Sequence, residues 1–234
     1  MPGNRVFSWR ARKVPSVRIP ILLCAALLLI APVLADMFEL TDRVLASINK
    51  KHGPAASERV AHWKRLMETN RGLSEKEKLV LVNDFFNQVP FVSDLDHWGK
   101  EDYWATPLEM LATFGADCED FSIAKYFTLV QIGVPVQKLQ ITYVKATTWN
   151  PVSQAHMVLV YYPTPEAIPL VLDNLIPEIM PASARKDLIP VYSFNGEGLW
   201  FAKERGTGKS AGRSDRIKLW RDLNERMGRE ADVR

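Results

Sequence analysis

The hydrophobic pattern of this chain changes period once, near residue 135, and that change constrains the fold more than any other feature. Upstream, apolar residues recur at helical spacing. Val60, Trp63 and Met67 share one face of a segment from Ser57 to Asn70, and Leu79, Val82 and Phe86 follow the capping box Ser74-Glu75-Lys76-Glu77. Pro90 stops that second helix, and the acidic and aromatic stretch from Ser93 to Thr106 reads as loop. A third helical pattern opens at Cys118 and runs to the breaker Gly133-Val134-Pro135. Downstream the apolar runs are short and bounded by turn residues: Leu139 to Lys145, His156 to Tyr162 and Leu170 to Asp173. Val191 to Phe194 and Leu199 to Ala202 then form a hairpin around Asn195-Gly196-Glu197-Gly198. Ser214 onward returns to helical spacing through Ile217, Trp220, Leu223 and Met227. Helices first and sequential strands after predict an α+β fold with an antiparallel sheet.

The N-terminus carries an address. Arg5, Arg10, Arg12, Lys13 and Arg18 precede an uncharged apolar run, Ile19 to Ala35, which closes on Val33-Leu34-Ala35 with Asp36 after it. This is the layout of a secretory signal peptide over residues 1–35. An uncleaved anchor is the competing reading, because the run is close to the lower length limit for a span. Pro20, Pro32 and the small residue at position 35 favour cleavage, and with it no stable membrane insertion of the mature chain. The formal charge of +3 belongs to this segment. Removing its five basic residues from 30 leaves 25 against 27 acidic ones, a formal −2. Without a basic stripe of interleaved aromatics, nucleic acid is not an expected partner.

Export sharpens the cysteine argument. Cys24 would leave with the apolar run, and Leu22-Leu23 before it lacks the small residue expected ahead of a lipidated cysteine. Cys118 then stands as a lone thiol in an oxidising compartment, either a buried small hydrophobe or a reactive group. Its position at a helix start favours the thiolate, since free backbone N–H groups point there. Its neighbours Asp117, Glu119 and Asp120 oppose it, because like charge raises a thiol pKa. A divalent cation would resolve the conflict, and clustered hard oxygens suit Ca²⁺ better than zinc. Asp102, from the preceding loop, is a further candidate oxygen.

A thiolate also needs a base and an orienting group. His52 lies in a Lys-Lys-His-Gly stretch that reads as solvated, His62 on a helix beside Trp63, and His97 in the acidic loop. His156 begins a strand, a rigid platform, and Asp173 closes the next one, so the two can meet across an antiparallel pair. Each has an ordinary reading as core thiol, satisfied strand histidine or turn aspartate; in the order Cys–His–Asp they fit nucleophile, base and orienter. Asp94-Leu95-Asp96-His97-Trp98-Gly99 is not an EF-hand, having Trp98 at a ligand position and Ala105 at position twelve. Glu197 between glycines reads as hairpin chemistry, and Trp200 and Trp220 as core or partner-facing aromatics.

Tyr103-Trp104-Ala105-Thr106-Pro107, Asp117-Cys118-Glu119-Asp120-Phe121, Ile141-Thr142-Tyr143-Val144-Lys145, Ala155-His156-Met157-Val158-Leu159 and Leu172-Asp173-Asn174 occur in that order. Together they resemble the bacterial transglutaminase-like cysteine proteinases over roughly Ser74 to Pro190. The resemblance implies a papain/transglutaminase-like core with Cys118, His156 and Asp173 as catalytic triad, and Asp117, Glu119 and Asp120 as ligands of an activating Ca²⁺. It implies a tryptophan, here Trp104, as an oxyanion donor; the alternative is an aromatic packed under the loop. It further implies a periplasmic enzyme that cuts a large surface adhesin near its N-terminus, at a di-alanine-containing site, and so releases cells from a biofilm. An inner-membrane receptor, whose periplasmic domain sequesters the protease when cyclic di-GMP is high, is the implied inhibitor. Two other functions fit the same residues: a transglutaminase or amidase, and an idle calcium-stabilised binding module. The expected organisation is a signal peptide over 1–35, a domain over 36–205 (helices 57–89, core 90–205) and a basic, helical tail over 206–234.

Overall fold

The computed structural model describes residues 40–147, 154–201 and 210–231; the expected signal peptide lies outside them. The first helix, α1 (Asp42–His52), starts at a Thr41 cap and ends at Gly53, whose positive φ of 88° turns the chain directly into α2 (Pro54–Thr69). Relative to the helix expected from Ser57, α2 begins three residues earlier, and α1 precedes it as a further helix that buries Val44 and packs Leu45 and Ile48 against the core. Next comes α3 (Glu75–Phe86), opened by the expected Ser74/Glu77 capping box. The stretch read as loop contains α4 (Asp94–Trp98), capped by Ser93 and ended by Gly99 in the left-handed conformation. It is followed by α5 (Pro107–Thr113), which Thr106 and Glu109 cap reciprocally. Both are too short to display a helical period, and their signals were capping residues alone.

The central helix is α6 (Cys118–Gln131), and every residue from Asp120 to Gln131 is buried. It is enclosed rather than amphipathic, so its neighbours on all sides are set by packing. The strands are β1 (Leu139–Ala146), β2 (Gln154–Tyr161), β3 (Leu170–Leu172), β4 (Met180–Pro181), β5 (Leu188–Phe194), β6 (Leu199–Phe201) and β7 (Ser210–Gly212). They form one sheet in the order β4-β3-β2-β1-β5-β6-β7 with every pairing antiparallel, as the α+β expectation required. Alternation along β2 sends Met157, Leu159 and Tyr161 into the main core with α6, while Val158 and Val160 join Val144 and Val171 in a smaller cluster on the opposite face. The last helix is α7 (Lys218–Ala231). Residues set apart as a tail belong to the same fold: β7 pairs with β6, and Trp220, Leu223 and Met227 are buried in the main core. Trp220 stacks on Phe127 at 5.3 Å, fastening α7 to α6.

Candidate active site

The chain reaches Cys118 along a held path. Ala116 donates its N–H to the Pro90 carbonyl and accepts from the Val92 N–H, so the residues before α6 are laid against 90–92. Gly115 is dictated by close approach: a Cβ there would lie 2.7 Å from the His97 ring, which itself bonds Thr113 Oγ1 at 2.8 Å. Asp120 then ties the helix start to the neighbouring loop. Its Oδ1 accepts the Ala105 N–H at 2.7 Å and its Oδ2 the Asp117 N–H at 3.4 Å. Cys118 is the first residue of α6, half-buried, with the thiol beside β2. Because β3 pairs only with Leu159–Tyr161 of β2, the edge beyond is uncovered by β3, and there the Cys118 thiol lies beside the Met157 backbone N–H. The nucleophile candidate thus lies one residue from His156.

His156 and Asp173 meet as expected. Nε2 of His156 lies 2.8 Å from Oδ1 of Asp173, with side-chain exposures of 5% and 0%. With Nε2 so engaged, Nδ1 is the ring nitrogen left for a thiol. The other three histidines are elsewhere: His52 is exposed in the last turn of α1, His62 packs edge-on to Phe85, and His97 serves the Gly115 turn. Asp173 is satisfied on every side. Its Oδ1 also accepts the Leu175 N–H, its Oδ2 accepts Arg185 Nη2 at 2.7 Å, and its carbonyl accepts Lys125 Nζ at 3.1 Å and Asn87 Nδ2 at 3.0 Å. Burial alone would raise its pKa; the His156 bond and charge, the Leu175 N–H and Arg185 outweigh that and hold it down to about 2.

Carboxylates crowd the nucleophile. Asp94, Asp117 and Asp120 bring oxygens within 4.8 Å of one another, and so do Asp94, Asp102 and Glu119. The Cys118 S–H donates to Glu119 Oε2 at 3.1 Å. Burial, then a bond to Glu119 and that residue's charge, push Asp117 up to about 9, and burial pushes Asp94, Glu119 and Asp120 in the same direction. The Cys118 thiol is driven well above its ordinary value by burial and by the charges of Glu119 and Asp117. Asp94 Oδ1 and Asp117 Oδ1 are buried with no hydrogen-bond partner. Orphaned oxygens of one sign around a shared centre fit a hard cation, and the donor set is the one Ca²⁺ takes. The structure therefore brings together Asp117, Glu119 and Asp120 as expected, confirms the proximity of Asp102, and adds Asp94. Trp104 is buried, stacks on Phe194 at 5.6 Å and gives its side-chain hydrogen bond to Asp102, an arrangement that matches the packing reading.

A cavity of about 410 Å³ lies on the opposite face of the sheet, lined by Val144, Val158, Val160, Val171 and Trp200, and holds neither Cys118 nor the carboxylates. Among the described residues no helix is long and apolar enough to cross a membrane.

Comparison with known proteins agrees with this geometry. The family described as bacterial transglutaminase-like cysteine proteinase, BTLCP, matches residues 53–200. Legionella pneumophila LapG, EGTA-treated, is similar at 42% identity and a TM-score of 0.70, over 80% of this chain and 96% of that one. A second structure of Legionella pneumophila LapG matches at 42% identity and 0.68, with the same coverage. The calcium-bound form matches at 43% identity and 0.67, over 78% of this chain and 97% of that one. No curated protein matches the sequence.

Proposed function

The chain belongs to the bacterial transglutaminase-like cysteine proteinases, and from that premise we propose that it is a calcium-dependent endopeptidase using Cys118, His156 and Asp173 as its triad. The observation that carries this reading is the set of carboxylates packed around a thiol at a helix start, beside a buried His–Asp pair. Asp94, Asp102, Asp117, Glu119 and Asp120 would hold Ca²⁺, and the ion, when bound, supplies the positive charge that lets these groups and the thiol ionise together. The calcium-bound form of the LapG relative supports that assignment.

The chain's own residues then perform acyl transfer to water. His156 takes the Cys118 proton on Nδ1, while Asp173 on Nε2 fixes the ring and stabilises the imidazolium. The thiolate attacks the scissile carbonyl, and the Cys118 N–H at the helix start faces the developing oxyanion. His156 returns the proton to the leaving amine, and water attacks the thioester with His156 as base. The substrate we infer is a large cell-surface adhesin cut near its N-terminus, the setting the periplasm, the outcome biofilm dispersal, and the control an inner-membrane cyclic di-GMP receptor that sequesters the enzyme. The signal-peptide pattern over residues 1–35 and the family's motifs support this assignment. Digestion of the adhesin encoded by the same organism tests it: the adhesin N-terminus should be cut in Ca²⁺ and left whole by Cys118→Ala. An intact adhesin with wild-type protein in Ca²⁺ would remove the substrate assignment. Incorporation of a labelled amine in excess of hydrolysis would make the chain a transglutaminase instead.

A further inference from the structure

Two buried cations touch Asp173, and one of them approaches from the face of the sheet that α6 does not cover. β4 is an edge strand beyond β3, whereas β5 pairs with β1, so the chain between them must pass over the sheet. Residues 182–187 make that crossing, with Ala182 and Leu188 packed on Val144, Val158, Val160 and Val171. Arg185 sits within it, and its side chain is only 3% exposed. Its Nη2 bridges two carboxylates, Asp173 Oδ2 at 2.7 Å and Asp187 Oδ2 at 2.8 Å, and its Nε donates to Asp187 Oδ1 at 3.0 Å. Asp187 is in turn anchored, its carbonyl accepting both the N–H and the Oγ1 hydroxyl of Thr147 at the end of β1.

We propose that Arg185 is a positioning residue for the reaction, holding the Asp173 carboxylate so that Oδ1 alone faces His156. The inference rests on Asp173 being the orienting member of the triad. A carboxylate free to turn about its last bond presents either oxygen to the imidazole. Here Oδ2 is claimed by a guanidinium fork whose second arm is fixed on Asp187, so the plane of the carboxylate is set from both ends. The Asp173 side chain has no exposed surface, so in the folded protein the donor to Oδ2 is Arg185 rather than water. The charges alternate along the line Asp187, Arg185, Asp173, His156, so the second carboxylate offsets the cation that would otherwise draw Asp173 away from the imidazole.

A double-mutant cycle on the full-length chain in saturating Ca²⁺ tests this. The probe is iodoacetamide, and the readout is its alkylation rate at Cys118, followed on that peptide by mass spectrometry. Arg185→Met should slow the rate by about tenfold, and Arg185→Lys, which keeps the charge but not the fork, should fall between it and wild type. In an Asp173→Asn background Arg185→Met should add nothing, because its effect passes through Asp173. Should Arg185→Met fail to fold, Arg185→Lys completes the same cycle, with a smaller loss that likewise vanishes in Asp173→Asn. An equal loss in both backgrounds, or no rescue by lysine, makes Arg185 a structural staple and overturns the proposal. Should Asp173→Asn alone leave the rate unchanged, it is the triad assignment of Asp173 that fails, and the proposal with it.

Discussion

At the scale of single residues, Cys118 is held in a contradiction that its neighbours create. A helix start favours its thiolate, while burial and two adjacent carboxylates oppose it more strongly. The pairing of His156 with Asp173, and the place of Cys118 at a helix start, were legible because each is a distinctive residue type near an element boundary. Asp94 was not, since an aspartate after a serine reads first as a capping residue and its buried Oδ1 is visible only in three dimensions. Lys125 offered a missed signal: it stands seven residues after Cys118 in an apolar helix, two turns along the same face, and it bonds the Asp173 carbonyl. Arg185 gave none, because its contact with Asp173 depends on a crossing over the sheet. We expect Asp94→Asn to weaken Ca²⁺ binding by about tenfold in calorimetry while leaving the fold intact; unchanged affinity would remove Asp94 from the ligand set. Asp173 also sets an acid limit. Its pKa is lowered from 3.8 to about 2 on folding, so its contribution is present above the first value and lost as pH falls through the second. Asp173→Asn should therefore flatten the loss of melting temperature across that window, and an unchanged acid profile would contradict the assignment.

At the scale of elements, the C-terminal helix does more than fill the core. Arg226 of α7 donates to the Trp104 carbonyl, lies 4.5 Å from the Tyr103 ring and approaches Glu109 at 3.5 Å. Glu230 accepts from Thr106 Oγ1 at 2.7 Å. The same segment carries Asp102, Trp104 and the Ala105 N–H that holds Asp120, so α7 braces the loop beside the carboxylate cluster. Long elements with a clear period were legible: α2, α3, α6 and strands β1, β2 and β5. The short elements α4, α5, β4 and β7 were not, because their stability comes from caps and from neighbouring strands rather than from their own pattern. Burial raises the Glu230 pKa to about 7, against a lowering bond from Thr106, so its proton is held by the folded state between 4.5 and that value. Stability from this group is present at low pH and lost as pH rises through about 7. Glu230→Gln should melt like wild type near pH 4 and higher than wild type at about pH 8. An equal or lower melting temperature at the higher pH would show that Glu230 is paired rather than protonated.

At the scale of the whole molecule, the sheet separates two roles. One face packs α6 and delivers Cys118 to the uncovered edge of β2, and the other carries the crossing that brings Arg185 to Asp173. The carboxylate cluster sits where α4, the 102–106 loop and the start of α6 converge, so a bound cation would fasten three segments as well as neutralise them. On the proposed function, nucleophile chemistry and metal binding are then one property of the fold. The most direct measurement is the alkylation rate of Cys118 in chelated protein as Ca²⁺ is added back. The rate should be low in excess EGTA and rise with Ca²⁺ in step with proteolysis, whereas Mg²⁺, which demands tighter octahedral geometry, should restore little. A Cys118 that reacts equally fast in excess EGTA would contradict the claim that this thiol depends on calcium.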